Sequence, residues 1–240
     1  KLSRQTMANW ILQASDTWLR PVYDELHRKL CKETVLHGDE TTLQVLKAPG
    51  RTSTSKSYMW VYRTGKGYKD TPIILYEYQK TRKKEHAREF LKGFSGICVT
   101  DGYQVYHSIA DEREDLTIAG CWSHARRGFA DVVKAAGKKD VGIRLSVAYK
   151  SLQLIQTMSR YEEKLAKMEP AERLEARIHY VLPLAEAFFA YLKSKEGSVA
   201  PKSATGKAIR YCLNQERFLR VFLTDGYVPM TNNAAERSIR

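Results

Sequence analysis

The chain has 240 residues, 43% of them hydrophobic, and Lys and Arg outnumber Asp and Glu by 40 to 27, for a formal charge of +13. That apolar content builds a core and excludes a disordered chain, while no apolar run reaches the roughly 18 residues of a membrane span and no secretory signal opens the sequence. The charge points to a polyanionic partner, of which nucleic acid is the commonest, and four scattered cysteines (Cys31, Cys98, Cys121, Cys212) exclude a disulfide scaffold and predict a reducing, intracellular compartment.

Residues 3–32 read as two helices. Ser3 caps the first, with Met7, Trp10, Ile11 and Ala14 on one face. Asp16 caps the second, where Leu19, Val22, Tyr23, Leu26 and Leu30 make an apolar stripe and Pro21 lies near the start. From Val35 the pattern turns to strands over 35–46, 57–63 and 72–79, with a turn signal at Gly65-Lys66-Gly67 and a small basic loop over 49–57. These three predict an antiparallel meander. A short helix at His86–Leu91 precedes an apolar strand, Ile97–Thr100, that ends in Asp101-Gly102. Another strand, Leu116–Trp122, leads into a helix over Ser123–Ala136. Strands interleaved with helices in this way predict an α/β fold, a mixed sheet flanked by helices.

Residues 140–196 carry no strand signal and a long helical period. Ile143, Val147, Leu154, Met158, Tyr161 and Leu165 form one stripe; after Glu169-Pro170, Leu174, Ile178, Val181, Leu182, Ala185, Phe188, Phe189 and Leu192 form another, which Pro183 is expected to kink. Residues 197–206 read as a loop and Lys207–Leu223 as helix again. The sequence starts at Lys1 rather than Met and stops at Arg240 inside an expected helix, so it reads as part of something longer.

Three acids stand out. Asp39 lies mid-strand among core-building residues, where a carboxylate is costly unless a cation neutralises it. Asp101 ends an apolar strand, and Glu236 falls early in the final helix. Together they offer the oxygen ligands that hard cations such as Mg²⁺ require, and two such ions suit in-line phosphoryl displacement. Each has a plainer alternative. Asp39 can cap a turn with Glu40 as its surface partner, Asp101-Gly102 can be a turn, and Asn233-Ala-Ala-Glu236 has the form of a capping box.

Four blocks run in order along nearly the whole chain: His37-Gly-Asp-Glu-Thr41, Val99-Thr-Asp-Gly-Tyr103 with Tyr106, Gly120-Cys-Trp-Ser-His-Ala-Arg-Arg127, and Thr231-Asn-Asn-Ala-Ala-Glu-Arg-Ser-Ile-Arg240. In these blocks the chain resembles transposases of the insertion-sequence 66 group, of the DDE class. The resemblance implies a ribonuclease H-like fold, with Asp39, Asp101 and Glu236 as the catalytic triad holding two Mg²⁺ ions, for which Mn²⁺ substitutes. The spacings are 101 − 39 = 62 and 236 − 101 = 135 residues, and an all-helical insertion before the last catalytic helix accounts for the longer one. The expected organisation is a helical segment at 1–34, the ribonuclease H-like core at 35–139, the insertion at 140–206, and a return to the core at 207–240. Thr231 departs from the acidic residue that relatives often carry there.

The resemblance further implies DNA partners (transposon ends and target), a homo-oligomer in the active complex, no membrane, and a bacterial cytoplasmic, nucleoid-associated location. The expected activity is cleavage and strand transfer of DNA; the alternatives are a hydrolytic nuclease of the same fold and a catalytically inert DNA-binding remnant. Cys121-Trp-Ser-His124 is half of a zinc spacing with no second half nearby, so structural zinc is not expected. His124, Cys121 and Asn233 are placed beside the metals or DNA, against a purely structural role for His124. The expected DNA contacts are Arg51, Lys56, Arg82, Lys83, Lys84, Arg126, Arg127, Arg237 and Arg240, with Arg4 and Gln5 at the exposed start of a helix similar to the recognition helix of a helix-turn-helix. A plain packing helix is the alternative there.

Overall fold

The computed structural model describes residues 2–46, 50–65, 71–137 and 141–239. Five strands, β1 (Val35–Gln44), β2 (Lys56–Thr64), β3 (Ile74–Gln79), β4 (Gly96–Val99) and β5 (Leu116–Ala119), form one sheet in the order β3-β2-β1-β4-β5. The first three are an antiparallel meander, as expected, although Lys66 and Gly67 of the expected turn lie outside the described residues, and β4 and β5 extend it in parallel. This mixed α/β sheet is consistent with a ribonuclease H-like arrangement.

Alternation along the strands divides the side chains between two cores. On one face Leu36, Trp60, Tyr62, Cys98 and Ile118 meet α2 (Arg20–Leu30), α3 (Lys84–Phe90) and α4 (Gln104–Ala110), with Tyr62 stacked on Phe90 at 3.6 Å. On the other face Val35, Val99 and Ala119 meet α5 (Trp122–Ala136) and the helices that follow it. Those are α6 (Val147–Leu165), α7 (Pro170–Ala176), α8 (Leu182–Glu196) and α9 (Ala204–Asn214), then the short α10 (Glu216–Leu219) and α11 (Asn233–Ser238). Trp122 packs 5.2 Å from Phe188 and 5.7 Å from Phe189, and its indole N–H donates to the Leu219 carbonyl at 2.8 Å. The helices between α5 and α11 therefore share a core with the sheet.

The N-terminal reading needs one correction. α1 (Arg4–Ala14) does not stop at Asp16 but runs through a π turn, Ser15–Leu19, straight into α2. A second π turn, Arg177–Val181, stands where the Pro183 kink was expected. Proline lacks an N–H and its ring crowds the carbonyl four residues back, here Thr17 for Pro21 and His179 for Pro183; widening that turn keeps the helix going. α9 also begins three residues earlier than expected, because Ser203 caps it by accepting from the Gly206 N–H at 3.0 Å.

Candidate active site

The parallel ladder between β1 and β4 closes with His37 opposite Val99. Asp39 and Asp101 each follow two residues beyond that pair, so the register brings both aspartates to the same end of neighbouring strands. Asp39 shares a face with Val35 and His37 by alternation, is 8% exposed, and takes the Glu40 N–H on Oδ1 at 2.9 Å. Burial, then the negative charges of Asp101 and Glu236, push its carboxyl up to about 6. Asp101 Oδ1 accepts from the Tyr103 N–H at 2.9 Å, across Gly102 at φ +94°, a conformation that glycine adopts without strain.

Glu236 is brought to these acids by α11, and α11 is fixed by a residue the sequence reading did not single out. Asn232 is fully buried at the head of the helix. Its side-chain oxygen meets His37 Nδ1 at 2.8 Å, its amide donates to the Gly38 carbonyl at 2.9 Å, and its backbone N–H donates to Cys121 Sγ at 3.1 Å. One side chain thus ties the final helix to the strand of Asp39. From β2, Arg63 donates to the Ala234 carbonyl at 3.1 Å and to Ser238 Oγ at 2.8 Å. The capping-box alternative gives way here: the N-cap is Asn232 rather than Asn233, and its N–H is taken by sulfur. Asn233 instead accepts from Ser123 Oγ on α5 at 2.9 Å.

His124, in the first turn of α5, stands between the acids. Its Nδ1 lies 3.0 Å from the Asp101 carbonyl, which also accepts from the Tyr211 hydroxyl at 3.2 Å, and its Nε2 lies 3.9 Å from Glu236 Oε1. Burial holds the imidazole below its ordinary range, so it is neutral near pH 7. Because a carbonyl only accepts, Nδ1 carries the proton and Nε2 presents its lone pair toward Glu236.

Glu40 is no surface partner. Its side chain is fully buried on the opposite face, paired with Arg82 and 3.4 Å from the Tyr106 hydroxyl, and burial pushes it up to about 7. A Cβ at Gly38 would come within 3.1 Å of that hydroxyl, so any larger residue requires Tyr106 to shift by a few tenths of an ångström where it closes on the strand. Arg82 also stacks 3.7 Å over the Tyr103 ring.

The remaining cations divide by what they already touch. Arg51 donates to Ser57 Oγ and to the Lys56 and Lys80 carbonyls, and Lys84 to Ser108 Oγ and Glu112. Lys56, Lys83, Arg126, Arg127 and Arg237 are exposed, as are Arg4 and Gln5 at the start of α1; Arg240 lies outside the described residues. Arg126 lines a cleft of about 890 Å³ together with Ser123, Met230, Thr231 and Asn233, directly beside α11.

A model of the transposase IS66 family matches residues 1–240. The chain belongs to that family. It is also similar over its whole length to three Sinorhizobium fredii proteins described as uncharacterized: y4qI, 31% identical over 249 residues, y4hP, 30% over 250, and y4jD, 29% over 248. The chain spans 44%, 45% and 47% of these relatives respectively, less than half of each. No solved structure matches it. No helix among the described residues is long and apolar enough to cross a membrane.

Proposed function

We propose that this chain is the catalytic part of a metal-dependent DNA transposase, with Asp39, Asp101 and Glu236 as the residues that hold two Mg²⁺ ions. The observation that carries the reading is the strand register, which brings Asp39 and Asp101 to the same end of neighbouring strands, with buried Asp39 feeling the charges of both Asp101 and Glu236. The donors are carboxylate oxygens, the set that Mg²⁺ and Mn²⁺ prefer, so the residues fit the ions that the family implies. When bound, the ions supply an activated water or 3′-hydroxyl and charge stabilisation at the leaving oxygen.

The protein's own residues do the positioning. Strand register sets Asp39 beside Asp101, Asn232 holds the helix of Glu236 against β1, and His124 keeps a neutral imidazole between them. Arg126, Arg127, Arg237 and Lys83, all exposed, are the proposed contacts to DNA phosphates, and Arg82 lies within electrostatic reach of Asp39. Transposon ends and target DNA are the substrates, and a homo-oligomer is the working complex.

Asp39→Asn removes one ionic ligand while preserving shape. Mg²⁺-dependent cleavage of a transposon-end duplex by the whole protein should fall at least a hundredfold, with an unchanged far-ultraviolet circular dichroism spectrum. Cutting at the wild-type rate would remove Asp39 from the mechanism. A pre-cleaved end incubated with target DNA distinguishes strand transfer from a hydrolytic nuclease, which cuts but never joins.

A further inference from the structure

Cys121, His124 and Glu236 each present a donor atom, and the three atoms lie within 4.8 Å of one another. We infer that these residues form a second metal site, of the zinc class, that shares Glu236 with the carboxylate triad. Sulfur, imidazole nitrogen and carboxylate oxygen are the donors that Zn²⁺ takes, and Mg²⁺ does not take thiolate.

The histidine is already arranged as a ligand. Its Nδ1–H is held by the Asp101 carbonyl at 3.0 Å, which fixes the ring and leaves Nε2 directed at Glu236, 3.9 Å away. The sulfur sits at the N-cap of α5, where the Asn232 N–H reaches it at 3.1 Å and the amides of Ser123 and His124 also point toward it. Those dipoles favour a thiolate, against the burial that disfavours one. A bound Zn²⁺ displaces the thiol proton to solvent, and one thiolate plus one carboxylate then cancel its charge. With metal–ligand bonds of about 2.0–2.3 Å, tetrahedral donors stand roughly 3.3–3.7 Å apart, so a modest rotation of Glu236 closes the site. Cys121 is fully buried, while the side chains of His124 and Glu236 are 20% and 16% exposed, so the ion enters from their side and a fourth position remains open to water.

The consequence is competition. A zinc-class ion held here draws Glu236 away from Asp39 and Asp101 and blocks Mg²⁺-dependent cleavage. That consequence rests on the transposase reading; the binding itself does not.

The test is a Co²⁺ titration followed by absorption, because cobalt bound to sulfur gives a near-ultraviolet charge-transfer band. It is run in a Cys31→Ser background, since Cys31 Sγ lies 3.4 Å from His27 Nε2 and is a second thiol–imidazole pair. One Co²⁺ per chain with that band is expected, displaced by Zn²⁺, absent in Cys121→Ser and His124→Ala, and kept in Asp39→Asn. In a second arm, Zn²⁺ inhibition of cleavage is measured against each protein's own zinc-free rate, and Cys121→Ser should need at least tenfold more Zn²⁺. No band in the parent, or a band that survives in both Cys121→Ser and His124→Ala, overturns the site. Equal zinc sensitivity in Cys121→Ser overturns the competition. A parent that binds Co²⁺ through sulfur but never cleaves DNA retains this site and removes the transposase reading instead.

Discussion

Asp39 is a carboxyl held where charge is unwelcome, and that has a measurable cost in the metal-free protein. Its folded value of about 6 lies above the ordinary 3.8. Between those two values the folded chain holds a proton that the unfolded chain has released, so stability falls as pH rises, and the whole cost stands above about pH 6. The cost is on the order of 2–3 kcal/mol. In magnesium-free buffer containing a chelator, Asp39→Asn should therefore melt at a higher temperature than the parent near pH 8. The gap should close as pH falls through the interval from about 6 to about 4, where both forms are neutral. Saturating Mg²⁺ should erase it from the other side, since only the parent gains from binding. A variant that melts lower near pH 8 would show that Asp39 is not under this strain.

Asn232 makes a different kind of contribution at the same scale. Asn232→Ala removes the buried side-chain bonds to the Gly38 carbonyl and to His37 Nδ1, a loss of about 1–3 kcal/mol in denaturant unfolding. It also frees the helix of Glu236 from the strand of Asp39. Mg²⁺ should then be needed at higher concentration for half-maximal cleavage, a shift that simple destabilisation of a still-folded protein does not produce. An unchanged Mg²⁺ dependence would make Asn232 structural only.

Among the elements, the strands and their partners were legible because alternation of apolar residues is a local signal: Leu36, Cys98 and Ile118 on one side, Val35 and Val99 on the other. The aspartates stood out less by pattern, since Asp101-Gly102 also reads as a turn, than by the family resemblance of the blocks that hold them. Asn232 was not legible, because its partners lie 111 to 195 residues away and its neighbour Asn233 has the more familiar spacing to Glu236. Nor were the π turns, since helical periodicity before a proline does not say whether the chain stops or widens. The alternative that made Glu40 a surface partner fails because its burial depends on Arg82 and Tyr106, both distant in sequence.

Among the described residues, the helices between α5 and α11 are organised around a buried cation, Arg177. Arg177 is 1% exposed, bonds both oxygens of Glu162 at 2.8 and 2.7 Å, and donates to the Phe222 and Asp225 carbonyls. It joins α6 to the segment leading toward α11. Arg177→Ala takes the counter-charge from Glu162 and a donor from the Phe222 and Asp225 carbonyls and should cost about 3–5 kcal/mol by urea denaturation, whereas Arg177→Met paired with Glu162→Leu should recover much of it. A loss under 1 kcal/mol for the single variant would show that the pair is solvated.

For the molecule as a whole, the excess of 13 positive charges sets up a field that attracts polyanions, and under the proposed function that polyanion is DNA. Exposed cations should show in the salt dependence, and internally bonded ones should not. Arg126→Ala with Arg127→Ala should make the logarithm of DNA affinity fall less steeply with the logarithm of salt, by about one slope unit per lost phosphate contact. Arg51→Ala, which removes bonds to Ser57 and two carbonyls, should destabilise the protein without changing that slope. A flatter slope for Arg51→Ala alone would reverse the assignment. The same molecule-wide geometry brings α11, at the far end of the sequence, against β1, and the proposed chemistry depends on that closure.

The most direct measurement is anomalous scattering from Mn²⁺ in crystals of the whole protein with a transposon-end duplex. Two manganese peaks held by Asp39, Asp101 and Glu236 are predicted, with both lost in Asp39→Asn. Manganese held by other carboxylates in a complex that still cleaves its DNA would contradict the account.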